Sequence, residues 1–144
     1  MAELPHYSED LDGDAVPPAA SALRSAVQSA DAVILVTPEY NGSLPSSIKN
    51  AIDWLPRPRG EAALSGKPVA VLAASGSPRA AQWAREDAVR ILGVAGAVPL
   101  ADTVGVGSAW EAFDDAGALT DPALAEAVRA LIAQLTSQTV TAAA

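Results

Sequence analysis

Two short stretches combine side-chain and backbone groups of the kinds that handle ligands. The first, Thr37-Pro38-Glu39-Tyr40-Asn41-Gly42-Ser43, follows an apolar run and precedes Pro45, so it reads as a strand-to-helix loop. It offers N–H groups at a helix start, a glycine able to take positive φ, and an aromatic ring. That set suits a flat, polar, electron-accepting ligand held by main-chain hydrogen bonds with Tyr40 alongside. A plain turn uses the same residue types. The second stretch, Ala74-Ser75-Gly76-Ser77-Pro78-Arg79, follows another apolar run. Its small residues let a ligand approach the backbone, and Arg79 can face a phosphate or carboxylate; small-residue loops of this kind also recur as simple connections.

Chemistry that needs a protein nucleophile or a metal finds little here. The absence of cysteine excludes disulfides, thiolate nucleophiles and cysteine metal sites. The single histidine, His6, lies in a polar leader and reads as a surface residue. No Gly-x-Ser-x-Gly elbow is present, and Ser65-Gly66-Lys67-Pro68 lacks the spacing of a phosphate-binding Gly-Lys loop. Gly105-Val106-Gly107 has no third glycine at the right distance. Glu111, Asp114 and Asp115 read as a solvated loop, not a metal site, and Trp54, Trp83 and Trp110 as core or oligomer-interface residues. No catalytic side chain and no metal ligand are assigned.

The elements that must position the two loops follow from periodicity. Ala32 to Val36 and Pro68 to Ala74 are continuous apolar runs, as expected of strands buried on both faces. A weaker strand falls between Ala97 and Val106, broken by Pro99. Helices are expected from Pro17-Pro18 to Ala30, from Pro45 to Leu55, from about Ala80 to Leu92, and after Asp121, an N-cap followed by Pro122. Residues 136–144 are expected to fray. Alternating strand and helix makes one α/β domain over residues 1–144, a parallel sheet with helices on both faces. Open parallel sheets bind ligands at the carboxyl ends of their strands, where both loops fall.

Composition agrees with a folded α/β protein: 50% of residues are hydrophobic, 18% are charged, and mean hydropathy is +0.21. The net charge of −8 repels phosphate backbones, which argues against nucleic-acid binding. No apolar run has the length of a membrane span, and the acidic start lacks the pattern of a signal peptide, so a cytoplasmic setting is expected.

The stretch from Thr37 to Leu55, Thr-Pro-Glu-Tyr-Asn-Gly-Ser-Leu-Pro-Ser-Ser-Ile-Lys-Asn-Ala-Ile-Asp-Trp-Leu, resembles the signature of NAD(P)H-dependent FMN reductases, the flavodoxin-like quinone, chromate and azo-dye reductases. Ser65-Gly66-Lys67-Pro68-Val69 is similar to that family's entry to its next strand. The resemblance weakens after Gly76, where the family has a glycine pair and an arginine and this chain has Ser77-Pro78-Arg79. It implies a flavodoxin-like three-layer sandwich. It implies FMN as cofactor, NADPH or NADH as electron donor, and a quinone or similar small molecule as acceptor, with a homodimer or homotetramer as the assembly. By the family pattern Pro38, Glu39, Tyr40, Asn41 and Gly42 line the isoalloxazine, and Ser75, Gly76 and Ser77 border it, while Lys49 and Asn50 are structural. The flavin carries the chemistry, which agrees with a chain lacking cysteine and nearly lacking histidine. Arg57, Arg59 and Arg79 are candidates to meet a nicotinamide phosphate.

The family also opens with a strand and a Gly-Ser-x-Arg-x-x-Ser-x-Asn loop for the FMN phosphate, and that nine-residue pattern does not occur in these 144 residues. The expectation is therefore a chain shortened at its N-terminus, lacking the first strand and the phosphate-binding loop, with Met1 inside a longer protein. The alternative is a subunit that binds no FMN and acts through oligomerisation.

Overall fold

The computed structural model describes residues 3–13, 15–58 and 60–142. Each element starts or stops where the local chemistry directs. The first helix, α1 (Pro18–Ser29), has proline at its first position, where the missing N–H has no intrahelical partner to lose. β1 (Val33–Thr37) leads into the first loop, and α2 (Ser46–Trp54) opens at Pro45, whose carbonyl accepts from the amides of Ile48 and Lys49. β2 (Pro68–Ala74) has the expected bounds. α3 (Gln82–Val94) and β3 (Val98–Val106) follow, and α4 (Pro122–Ala142) closes the described chain. The Asp121 carboxylate accepts from the Ala123 amide at 2.8 Å, confirming the cap that starts α4.

The strands form one parallel sheet in the order β1-β2-β3. α1, α2 and α3 pack on one face, around Val69, Val71 and Ala73 of β2, Leu44, Ile52, Ala84 and Leu92. α4 lies on the other face, where Leu131 and Leu135 meet Ala70, Leu100 and Val104. Pro99 is accommodated because β3 pairs on one side only, next to an irregularity between Val69 and Val71.

Two expectations are corrected. β1 is not buried on both faces: Val33 and Leu35 pack inward, but Ile34 is 50% and Val36 62% exposed. These two share a face with Ala70 and Leu72, their partners on β2, and α4 covers β2 and β3 but not β1. The helix expected from Ala80 begins at Gln82, because Ala80 and Ala81 both adopt left-handed backbone angles, with φ of 55° and 53°. α4 runs through Thr136 to Ala142, and 143–144 lie outside the described residues. The hydroxyls of Thr136, Ser137 and Thr139 donate to helix carbonyls one turn back, which satisfies these polar side chains within the helix.

Among the described residues the N-terminal segment forms no regular element beyond a 3-10 turn at Glu9–Leu11, yet side-chain hydrogen bonds fasten it to α2. The Pro5 carbonyl accepts from both Asn50 Nδ2 (2.9 Å) and Trp54 Nε1 (2.8 Å), and Asn50 Oδ1 accepts from the Tyr7 amide. The Tyr7 ring stands edge-on to Trp54 at 5.0 Å. Trp54 is completely buried, as expected, and Asn50 is structural, satisfied by the segment laid over it. Asp12, its side chain 4% exposed, pairs with Arg24 and Arg57. Burial pushes its carboxyl up, but the two guanidinium groups outweigh that and hold it below the usual carboxylate range. Among the described residues no helix is long and apolar enough to cross a membrane.

Candidate functional site

Parallel pairing in sequence order brings the loops after β1, β2 and β3 to one end of the sheet, on adjacent strands roughly 4.8 Å apart. The first loop is built around a tight reversal. Tyr40 and Ser43 exchange backbone hydrogen bonds at 3.0 and 3.1 Å, and between them Asn41 and Gly42 both take positive φ, 51° and 74°. Asparagine followed by glycine is the pair that tolerates this geometry. The turn leaves the amides of Asn41 and Gly42 without a partner and the Tyr40 ring 63% exposed.

Side chains from this loop reach α3. Ala81 stands at the N-cap of α3 with no side chain able to cap it, and the Glu39 carboxylate accepts instead from the Ala84 amide at 3.1 Å. A carboxylate there also answers the positive end of the helix dipole. Ser43 Oγ donates to Asp87 at 2.6 Å. That hydroxyl, with the Arg90 guanidinium, keeps the Asp87 carboxyl below its ordinary range despite partial burial. Glu39 is thus turned away from the loop's open side, while Tyr40 and the free amides of Asn41 and Gly42 remain on it.

The second loop is positioned by backbone approach. Ser75 donates its N–H to the Val106 carbonyl at 2.9 Å, and its own carbonyl accepts from Ala109; the Ser77 carbonyl accepts from Ser108. The loop then crosses close over β3 at Gly105, where a Cβ would collide with the Ala80 carbonyl oxygen and lie 2.6 Å from Arg85 Nε. Arg85 secures the crossing by donating to the Ala80 carbonyl and to Thr103 Oγ1. Gly105 is therefore what allows the second loop to pass. The Ser77 amide donates to Ser75 Oγ, and the Gly76 amide has no partner.

The geometry brings the expected residues together as neighbouring loops: Pro38 to Gly42 on one, Ser75 to Ser77 on the next. Trp83 joins them, its indole packed against Gly42 and carrying the Arg79 guanidinium 4.6 Å above its ring. Arg57 does not join them; it serves Asp12 at the opposite end of the sheet, and Arg59 lies outside the described residues. A cavity of about 580 Å³ lined by Arg24, Arg57 and Glu61 is also at that opposite end. Trp110 belongs neither to the core nor to any packed surface of this chain: it is 90% exposed, beside Gly76. His6 is exposed, as expected, and Asp114 accepts from the amides of Ala116 and Ala118 within its own solvated loop. The anchoring of Ser43 by Asp87 had no local sequence signal; it joins residues 44 positions apart.

Free amides, a flanking aromatic ring and small residues at the carboxyl ends of parallel strands are the features by which such sheets hold flat, polar cofactors. The chain is 39% identical over 125 residues to a quinone reductase of Pseudomonas putida, an alignment covering 84% of this chain and 66% of that protein. It is 39% identical over 131 residues to an NAD(P)H-dependent FMN reductase of Pseudomonas aeruginosa, covering 88% and 68%. Among solved structures, FerB, a flavoenzyme NAD(P)H:(acceptor) oxidoreductase of Paracoccus denitrificans, superposes with a TM-score of 0.85 at 33% identity, covering 97% of this chain and 77% of FerB. The chain spans about two thirds or less of the length of the curated relatives first matched. The family model described as NADPH-dependent FMN reductase matches residues 1–111, and with these relatives it establishes that the chain belongs to that flavodoxin-like α/β family.

Proposed function

We propose that this chain serves an FMN-dependent oxidoreductase in which electrons pass from NADPH or NADH through the flavin to a quinone or similar small molecule. The observation that carries the reading is the pairing of two adjacent loops whose amides at Asn41, Gly42 and Gly76 are unpartnered and face the same end of the sheet as the Tyr40 ring. FMN, when bound, supplies the two-electron chemistry, so the protein needs to bind and orient rather than to act as acid or nucleophile. Pro38, Tyr40, Asn41 and Gly42 form one wall of the site in this reading, and Ser75, Gly76 and Ser77 the other. Amides directed at the polar edge of a flavin hold it in plane and stabilise negative charge gathered there on reduction. Glu39 acts through α3: its carboxylate fixes the first loop to the helix that follows the second, and so sets the distance between the walls. Arg79, stacked on Trp83 beside the second loop, is the cation best placed to meet the anionic part of a nicotinamide donor.

The uncovered Ile34 and Val36 on β1 favour self-association, and the reading includes a homodimer or homotetramer. A cytoplasmic setting goes with the absence of cysteine, since nothing in the fold relies on an oxidising compartment.

The test is a titration of the chain with FMN, following flavin fluorescence, with far-UV circular dichroism to establish folding and light scattering to give the mass. Saturable quenching, followed by oxidation of NAD(P)H that requires both FMN and a quinone, is expected. A folded chain that neither binds FMN nor oxidises NAD(P)H would instead support the non-catalytic subunit.

A further inference from the structure

The loop after β3 contributes a residue that the family signature does not account for. Trp110 is 90% exposed, the highest exposure of any large apolar side chain among the described residues. A tryptophan left in water forgoes the burial that normally dominates its energetics, and this one stands at the end of the sheet where the two loops meet. Its backbone is well fixed. Ser108 donates to the Ser77 carbonyl at 3.3 Å, Ala109 to the Ser75 carbonyl at 3.0 Å, and Glu111 to the Ser108 carbonyl at 2.9 Å. The indole therefore lies over the second loop, with Nε1 2.6 Å from where a Cβ on Gly76 would stand. Any side chain at position 76 would evict it. The ring thus rests beside the same backbone that bears the free Gly76 amide.

We propose that Trp110 is the covering ring of the flavin site: it swings off Gly76 when the isoalloxazine enters and stacks upon it. This inference rests on the flavin reading above. The chemistry is complementary, an electron-rich indole against an electron-poor heterocycle, both flat. The movement is a side-chain rotation of an exposed residue and leaves the hydrogen bonds of Ser108, Ala109 and Glu111 intact. The other aromatic groups near the loops are less free to do this. Trp83 is engaged with Gly42 and Arg79, and Tyr40 is carried on the tight turn of the first loop.

The experiment uses lumiflavin, which has the isoalloxazine ring without ribityl chain or phosphate, so that affinity reports ring contacts alone. Wild type, Trp110→Phe and Trp110→Ala are titrated, following flavin emission and tryptophan emission, with thermal unfolding as a control for folding. Trp110→Ala is expected to weaken binding by about three- to tenfold, the range of one aromatic stacking contact. It should also restore part of the emission of the bound flavin. Trp110→Phe should keep most of the affinity and lose the indole-specific quenching. Unchanged affinity and quenching in Trp110→Ala would overturn the role of Trp110 and leave the two-loop flavin site standing. Failure of folded wild type to bind either lumiflavin or FMN would overturn both.

Discussion

The loops after β1 and β2 lie side by side, yet different forces hold them. The first is a relaxed Asn-Gly reversal whose position is set from outside, by the Glu39 carboxylate on Ala84 and the Ser43 hydroxyl on Asp87. The second has few side-chain ties of its own and is pressed onto β3, with Ala80 and Ala81 in left-handed conformations that cost roughly 1–2 kcal/mol each. One loop is fixed by polar groups that can be titrated or deleted singly. The other is fixed by the room that Gly105 leaves. A site made of both inherits an adjustable wall and a stiff one.

The most severe way to break this contrast is to remove that room. Gly105→Ala should destabilise the protein by about 3 kcal/mol, the upper part of the range for overpacking, because the obstructing atom is a backbone oxygen that cannot rotate away. Thermal unfolding would show it, and flavin affinity should fall with it. Glu39→Ala should cost about 1 kcal/mol, as for loss of a helix cap, and should loosen the first loop and the start of α3 together while sparing Ser75 to Ser77; amide hydrogen exchange resolves the two.

Acid should act on the same wall. Asp87 has a lowered pKa in the folded chain, so its contribution is present above the ordinary carboxylate value, about 3.9, and is lost as pH falls through the lowered one. Exchange at Ser43 should rise in that range, and in Ser43→Ala the pH dependence of the loop should largely disappear. The smallest effect is a gain. Ala80→Gly relieves one left-handed alanine but raises the entropy of the unfolded chain by roughly 0.4–1 kcal/mol, leaving a net stabilisation of about 0.5 kcal/mol by denaturant unfolding.

What could be read in the sequence follows the same division. The Asn-Gly turn, the bounds of β2 and the Asp121 cap are decided by residues within a few positions of one another, and periodicity or residue type reveals them. The exposure of Ile34 and Val36 depends on where α4 comes to rest, which a run of apolar residues does not encode. Nothing about an alanine announces positive φ; Ala80 and Ala81 both adopt it where the second loop passes over β3, Ala80 against Gly105. Glu39 was legible as part of the loop, but its helix partner lies 45 residues on. Residue type alone does not tell whether the Trp110 ring is inside or outside the chain's own core, and its exposure beside Gly76 is decided by how the loop after β3 lies on the second loop.

The stretch that identifies the family carries two kinds of information. Its front half shapes the Asn-Gly turn, but Asn50 and Trp54, one helical turn apart in its rear half, present two donors to a single carbonyl at Pro5. A library screened for yellow colour would therefore reject changes at these positions as firmly as changes at Tyr40 or Asn41, although neither donor faces the loops. Intolerance at Asn50 and Trp54 would record the fastening of the segment through Pro5, and only the front half of the stretch would report on the pigment.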